Sequence, residues 1–150
     1  MKPSLLNKIL TSEAGTAALI LRVPVGLILM AHGAQKLFGW FGGNGLAGTA
    51  GWLSSMGMEP GLLMAILAGG AEFFGGLALV LGLLTRPAAL VAAFTMLVAI
   101  FSVHIGNGLF AADGGYEYAL TLMVALLALA VQGGGYLSMD NALSKKLDND

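Results

Sequence analysis

The sequence predicts an all-α fold, a polytopic membrane protein built as a four-transmembrane-helix bundle. The first observation is compositional: 57% of the 150 residues are hydrophobic, 10% are charged, and the mean hydropathy is +0.86. A soluble domain carries about 25% charged residues, and a small domain has too much surface to bury so many apolar groups. The second observation is four apolar runs, each near the ~20 residues that span a bilayer. We therefore expect lipid to be the solvent and residues 1–150 to form a single membrane domain.

The remaining composition excludes several classes of partner and chemistry. The net charge is −1 and only seven Lys and Arg are spread over the chain, so no basic surface for nucleic acid is expected. Cysteine is absent, which excludes disulfides, thiol redox chemistry and thiolate metal sites. The 23 glycines favour close helix packing in a membrane. Small-residue pairs four apart, Ala71 with Gly75 and Ala88 with Ala92, also allow a homodimer.

The first two predicted spans cover residues 14–34 and 61–84. Thr11 and Ser12 precede the first span with hydroxyl groups that can cap a helix N-terminus. Pro60 precedes the second span, at a position where a helix does not need the missing amide hydrogen.

The third and fourth predicted spans cover residues 87–105 and 116–131, and the fourth is the shortest. The connection before the third span is short enough to make an antiparallel hairpin with the second, and Thr85 is the expected N-cap. Residues 138–150 are predicted to form a short cytoplasmic tail. This tail is either an amphipathic helix capped by Ser138 or a frayed, solvated segment.

The segment between the first two spans, residues 42–59, is predicted to be a Gly-rich outer loop. It also contains apolar side chains, which favour a short interfacial helix with Trp52 as a natural membrane-interface anchor. The first span carries Arg22, is long, and precedes no small-residue cleavage site. We therefore expect it to be a membrane helix and not a signal peptide.

The positively charged residues predict the orientation, because Lys and Arg in short flanks favour the cytoplasmic side. One side carries five of them and the other side only Lys36; the five are Lys2, Lys8, Arg86, Lys145 and Lys146. Both termini are therefore predicted to face the cytoplasm.

Ionisable residues within membrane spans are energetically costly and therefore indicate function by default. Arg22 lies twelve residues from Ala34, the predicted outer end of its span, and Glu72 lies twelve residues from Pro60, so both are about 18 Å inward. Opposite charges at one depth on neighbouring helices predict a buried structural ion pair between Arg22 and Glu72. Such a pair is compatible with a direct role in a site.

Four further polar groups are predicted at the outer end of the spans: His32, Lys36, His104 and Glu117. His32 and Lys36 are four residues apart and share one helix face. Together with Glu72 below them, these groups predict an outward-facing polar funnel for ligand binding or proton relay. The alternative is that each residue only marks the boundary with water. Aromatic residues near this level could wall a ring: Phe38, Trp40, Phe73, Phe74 and Phe110.

Three chemistries can use such a funnel. His32 and His104 could ligate a b-type haem, although no spacing motif supports this. A divalent metal could use both histidines with Glu72 and Glu117. The same groups could instead hydrogen-bond the carbonyls of a quinone or aromatic compound and shuttle protons, because imidazole titrates near neutral pH.

The sequence resembles the DoxX family of small bacterial membrane proteins, from Arg22 to Leu143. The resemblance rests on "AHGAQKLFGW", "GGAEFFGGLALVLGLLTRPAAL", "GGYEYALTLM" and "GGGYLSMDNAL", in that order. The family residues carried onto this chain are Arg22, His32, Gly33, Lys36, Glu72, Gly75, Gly76, Gly82, Arg86, Gly115 and Glu117. The resemblance implies a four-helix inner-membrane protein associated with quinone-linked oxidoreductase systems, or with resistance to quinones, catechols or oxidative stress.

The first functional hypothesis is a membrane component of a quinone-linked oxidoreductase that binds a ring in the funnel. The second is a non-enzymatic scaffold that recruits soluble redox enzymes through its hairpin and tail. The third is a small transporter of aromatic compounds.

Overall fold

The computed structural model describes residues 5–147, and the regular elements among them are all helical. The α-helices of this part of the chain are α1 (Leu5–Leu10), α2 (Gly15–Phe38), α3 (Gly45–Ser55), α4 (Gly61–Leu81), α5 (Thr85–Ala99), α6 (Glu117–Gln132) and α7 (Met139–Leu147). Single turns of tighter or wider helix cover Trp40–Gly42, Ile100–His104, Ile105–Asn107 and Ala111–Asp113. The predicted all-α bundle is confirmed.

Three helical stretches are long and apolar enough to cross a membrane: Gly15–Phe38, Gly61–Leu81 and Thr85–Asn107. The fourth bundle helix, α6, is apolar but has only 16 residues. At 1.5 Å per residue it is about 24 Å long, somewhat less than a typical hydrocarbon core. The chain is therefore a multi-pass membrane protein whose fourth helix is the shortest, as the sequence predicts.

Helices α2 and α4 pack antiparallel and very closely. A Cβ added at Gly33 would lie 2.7 Å from Cβ of Phe73, and one added at Gly76 would lie 2.8 Å from the amide nitrogen of Met30. Real side chains do not approach so closely, so only glycine allows this helix separation. The contact fixes the register of α2 against α4, and with it the relative height of their polar side chains.

Helices α4 and α5 form the predicted hairpin through a tight connection at Gly82, which has a positive φ of 65°. Below, "inner end" denotes the end of the bundle that carries this connection, α1 and α7, and "outer end" the one that carries α3. The apolar core includes residues from α2, α4, α5 and α6: Val25, Leu29, Leu79, Ala89, Ala92, Met96, Leu126 and Leu129, among others.

The N-terminus of α5 is capped by a residue distant in sequence. Both carboxylate oxygens of Asp140 accept backbone hydrogen bonds, from Leu84 at 2.6 Å and from Thr85 at 2.8 Å. The prediction that Thr85 is the cap was wrong, since its buried hydroxyl has no hydrogen-bond partner. A negative charge favours a helix N-terminus, so Asp140 fixes α7 against the bundle.

The C-terminal segment is a docked helix and not a frayed tail. Ser138 Oγ accepts a hydrogen bond from the amide of Asn141 at 3.2 Å, which confirms it as the cap of α7. The Asn141 side chain donates to the carbonyl of Ser12 at 2.9 Å, which attaches α7 to the start of α2.

Ser12 itself makes hydrogen bonds through its hydroxyl group. The hydroxyl donates to the carbonyl of Gln132, accepts a hydrogen bond from the amide of Gly135, and accepts a weaker one from the amide of Ala14. Ser12 therefore joins the start of α2 to the segment after α6, and the N-cap position predicted for it belongs to Ala14. Residues 148–150 of the predicted tail lie outside the described residues.

Two arginines neutralise helix C-termini at the inner end. The Arg22 guanidinium is buried and donates to the carbonyls of Leu79 and Val80, at the end of α4, at 3.0 and 2.5 Å. Arg86 donates to the carbonyls of Ala130 and Val131 at the end of α6. A cation next to a helix C-terminus interacts favourably with its partial negative charge, so both arginines hold the fold together.

Candidate functional site: a cavity in the outer half of the bundle

The outer half of the bundle encloses a cavity of about 640 Å³ between α2, α4, α5 and α6, with α3 above it. Its walls are mostly apolar, from Leu29, Leu53, Met58, Met64, Leu67, Ala68, Ala71, Val91, Phe94, Met96, Val98, Val103 and Leu122. Its ionisable lining residues are His32, Lys36, Glu72, His104 and Tyr118. Four of the five residues predicted for ligand binding or proton relay therefore line one space.

A second, more polar cavity of about 310 Å³ lies beside the first, under the loop that joins α2 to α3. Gln35, Asn44 and Thr49 contribute to it, and Lys36 and Trp52 line both cavities. Lys36 and Trp52 therefore separate an apolar chamber in the bundle from a polar vestibule at its outer end.

Lys36 and Glu72 form an ion pair, with 2.6 Å between Nζ and Oε2. The Glu72 side chain is 5% exposed and the Lys36 side chain 27% exposed. The carboxylate is therefore held inside the membrane protein by an ammonium group that still reaches water. The ion pair compensates the negative charge of Glu72, whose burial within a membrane span would otherwise cost free energy.

The predicted pair between Arg22 and Glu72 was wrong. Helix α2 continues to Phe38, so Arg22 lies sixteen residues from its outer end, whereas Glu72 lies eleven residues from Gly61. The difference of five residues is about 7.5 Å along the helix axis. Arg22 consequently belongs to the inner end, with carbonyl partners, and does not form the floor of the site.

His32 lies one turn before Lys36 on α2 and is half-buried. Its ring centroid is 6.0 Å from that of Tyr118 on α6, and the two planes are tilted by 51°. Tyr118 thus adds to the cavity lining a tyrosine that the predicted site did not include. Its position directly after Glu117, at the start of α6, was the available signal.

His104 ends a wide, π-type turn that continues α5, and its ring is oriented by the following loop. Nδ1 lies 2.7 Å from the carbonyl oxygen of Gly114. A carbonyl only accepts, so Nδ1 carries the hydrogen and donates. In the neutral imidazole Nε2 is then the acceptor. The loop therefore presents His104 to the cavity in a defined tautomer.

Glu117 was predicted to face the funnel, but it does not line the cavity. Its Oε1 accepts a hydrogen bond from the backbone amide of Ala111 at 2.7 Å. Gly115, which is buried, lies where a Cβ would collide with the backbone of Leu109. The "GGYE" segment therefore folds the loop whose Gly114 carbonyl holds His104, and Glu117 acts on the site only through that loop.

The aromatic residues predicted to wall a bound ring are not in the cavity lining. Phe38 contacts Trp40 and Phe73 with centroid distances of 5.1 and 5.2 Å, and Phe73 contacts Phe74 at 5.3 Å. These rings form a cluster at the outer end, and Phe110 is exposed elsewhere. The aromatic walls are instead Trp52, Phe94 and Tyr118. Trp52 comes from α3, the helix predicted as interfacial.

The arrangement does not fit the metal alternative. Within residues 5–147 no three His, Cys, Asp or Glu side chains gather as a metal site. Glu72 is bound to Lys36, and Glu117 to the loop. The haem alternative stays a prediction from the sequence: His32 packs against Tyr118, and His104 donates from Nδ1 to the Gly114 carbonyl.

Comparisons with known proteins agree with this architecture. A family model described as DoxX matches residues 17–105. "Putative oxidoreductase CatD" of Bacillus subtilis is 30% identical over 91% of this chain and 92% of its own length. "Inner membrane protein YqjF" of Escherichia coli is 37% identical over 72% of this chain and 82% of its own length.

An uncharacterized protein of Haemophilus influenzae is 32% identical over 84% of this chain and 90% of its own length. No solved structure matches the chain. The family match covers residues from α2 to the turn after α5, and the relatives cover most of the remainder. The chain therefore belongs to the DoxX family.

Proposed function

We propose that this protein is a membrane component of a quinone-linked redox system and binds the ring of a quinone, or of a related aromatic compound, in the outer cavity. The observation that carries the proposal is the cavity itself: a largely apolar chamber with an ion pair, two imidazoles and a phenol among its lining. Its volume lies within the range typical of small-molecule sites, about 300–1,000 Å³. Apolar walls with a few polar groups are the usual composition of such sites.

Four of the polar groups have a distinct role in this proposal: Lys36, Glu72, His104 and Tyr118. The Lys36 ammonium donates a hydrogen bond to one carbonyl oxygen of the ring, while Glu72 keeps the ammonium in place. His104 and Tyr118 bind a second oxygen, with Nε2 of His104 able to accept a proton from a reduced ring. The vestibule beyond Lys36 gives the site a polar path toward water. A redox role is also supported by the similarity to the Bacillus subtilis relative named as an oxidoreductase.

The two alternative functions have less structural support. In the tail proposed to recruit soluble enzymes, Asp140 caps α5 and Asn141 donates a hydrogen bond to Ser12. A transporter needs a path through the bundle, but the inner half of the described chain is filled by buried core residues and by Arg22. A binding site that opens in the outer half fits these observations better.

The two tryptophans make a direct binding assay available. Trp52 lines the cavity and Trp40 does not, so a Trp40→Phe background leaves Trp52 as the reporter. Quinones quench indole fluorescence at short range. We expect a soluble ubiquinone or menaquinone analogue to quench Trp52 saturably. Lys36→Met should weaken binding by about tenfold or more, because a hydrogen bond from a charged donor is worth about 1.5–3 kcal/mol.

Lys145→Met is the matched control, since it removes the same charge from the exposed surface of α7. It should leave quenching unchanged. Glu72→Gln should weaken binding by releasing Lys36 from its fixed position. The proposal is abandoned if the parent protein shows no saturable quenching, or if the Lys36 and Lys145 variants bind equally well.

A further inference from the structure

Helices α4 and α5 contact each other near their hairpin and line the cavity farther from it. Near the inner end, α4 and α5 are in contact through small residues, since a Cβ at Gly75 would lie 3.9 Å from Cβ of Ala92. Toward the outer end, the facing side chains of both helices line the cavity instead. Helices α4 and α5 are therefore in contact in the inner half of the bundle, and the cavity lies between them in the outer half.

Several residues of α4 and α5 line the cavity and are also exposed at the protein surface. Leu67 on α4 is 56% exposed, and Phe94 on α5 is 66% exposed. Both lie within membrane-spanning helices. Within a membrane span, exposed apolar side chains that also line a cavity mark a place where the cavity meets or closely approaches the lipid-facing surface. We call this place the α4–α5 cleft, bordered by Leu67, Ala68, Phe94 and Val98.

Two other seams of the cavity are closed in the described structure, and at a third, between α2 and α6, the rings of His32 and Tyr118 lie 6.0 Å apart. The α2–α4 seam is sealed by the contact of Gly33 with Phe73. The α5–α6 seam is filled by buried side chains, Met96 on α5 and Ala119 and Leu122 on α6. Exposed apolar lining within the membrane-spanning helices is concentrated on α4 and α5, and we take the α4–α5 cleft as the place where lipid meets the cavity.

We propose that the ligand carries a hydrocarbon chain, reaches the site sideways from the bilayer, and leaves its chain in the α4–α5 cleft when bound. This inference rests on the proposed function and specifies its ligand class, a quinone with an alkyl or isoprenoid tail. The ring lies at the level of Lys36 and His104, and the apolar cleft residues hold the first part of the tail. An amphiphile placed this way keeps its polar end at the ion pair and its apolar end in lipid.

The test uses two probes in nanodiscs with the Trp52 reporter: the tail-free ubiquinone ring and its decyl derivative. Val98→Phe narrows the cleft at an exposed position, and Ala68→Phe does so from α4. Val124→Phe on α6 is the matched control, since Val124 is 58% exposed and does not line the cavity. All variants share one lipid environment, so partitioning of the decyl probe into lipid cancels between them.

We expect Val98→Phe to weaken decyl binding by about fivefold or more, because the added ring takes the space of the first tail methylenes and overpacking is costly. The tail-free ring should bind this variant as it binds the parent, and Val124→Phe should bind both probes normally. Unchanged decyl binding in both cleft variants overturns the lateral route and leaves the proposed function standing. An equal loss for both probes also overturns it, since the ring site would then be the part affected. Absence of quenching by either probe in the parent overturns both proposals.

Discussion

At the scale of single residues, Glu72 is more deeply buried than its partner Lys36, so removing either one should have a different effect on stability. Glu72 is 5% exposed, whereas Lys36 is 27% exposed and borders the polar vestibule. An ammonium left without its partner can be hydrated from that vestibule. A carboxylate left without its partner has little access to water and must protonate or destabilise the fold.

Lys36→Met should therefore destabilise the protein more than Glu72→Gln. We expect a loss of about 3–5 kcal/mol for Lys36→Met, the range for breaking a buried pair, and a smaller loss for Glu72→Gln. The double variant should recover most of the stability lost by Lys36→Met alone, since no charge remains unpaired. Reversible unfolding in detergent micelles measures all three. Additive losses in the double variant would show that the two residues do not act as a pair.

Glu117 allows a test that separates a positioning role from proton transfer. Glu117 accepts a backbone hydrogen bond from Ala111, and glutamine can accept the same bond. We expect Glu117→Gln to keep quinone binding near the parent value and Glu117→Ala to weaken it severalfold, because His104 loses its ordered loop. Quenching of Trp52 measures both variants. Binding lost equally in the two variants would indicate that the carboxylate charge itself is required.

The sequence predicted His32, Lys36, Glu72 and His104 because ionisable residues in apolar helices are rare and conspicuous. It did not predict their pairing, which depends on helix register. An error of four residues in the outer end of α2 was enough to place Arg22 level with Glu72. Glu117 was misassigned because the loop before α6 turns the carboxylate toward Ala111, and such a contact has no sequence periodicity.

At the scale of elements, the contact between α2 and α4 determines whether the ion pair can form at all. Gly26, Gly33, Gly69 and Gly76 lie where the two helix backbones approach most closely. Small residues of this kind drive helix association in membranes, where apolar side chains gain nothing by leaving lipid. The glycine-rich composition predicted such a contact, but which glycines form it required the structure.

Two glycines of α4 provide a matched pair of substitutions. A Cβ at Gly76 would meet the backbone of α2, whereas a Cβ at Gly70 would meet nothing within 4 Å. Gly76→Ala should force the helices apart, lower stability by about 1–3 kcal/mol and weaken quinone binding. Gly70→Ala should be neutral or stabilise by up to about 1 kcal/mol, since alanine favours helix. Unfolding midpoints in detergent compare them, and equal effects would contradict the assigned close contact.

Helix α7 shows where element prediction from sequence reached its limit. An amphipathic helix capped by Ser138 was one of two predictions for the tail, and this one is confirmed. The long-range use of that helix was not predictable, because Asp140 caps a helix that begins 55 residues earlier. The scaffold hypothesis used the hairpin together with this tail, so the contact of Asp140 weakens the part of it that relied on the tail.

At the scale of the whole molecule, positive charge is divided unequally between the two ends of the bundle. Lys8, Arg86, Lys145 and Lys146 lie at the inner end, together with the connection between α4 and α5. Lys36 lies at the outer end, where Glu72 neutralises it. The fold class and this asymmetry follow from composition and spacing, which is why both could be predicted before any contact was known.

The charge asymmetry predicts that the inner end, which carries α1 and α7, faces the cytoplasm, and that the cavity vestibule faces the opposite side. The chain has no cysteine, so single cysteines report sidedness cleanly. Ser55→Cys on α3 and Ala142→Cys on α7 are both exposed and leave every charge in place. In intact spheroplasts a membrane-impermeant maleimide should label the α3 cysteine and spare the α7 cysteine until the cells are lysed. The reverse pattern would contradict the orientation and would open the vestibule to the cytoplasm, where a redox partner would then have to be sought.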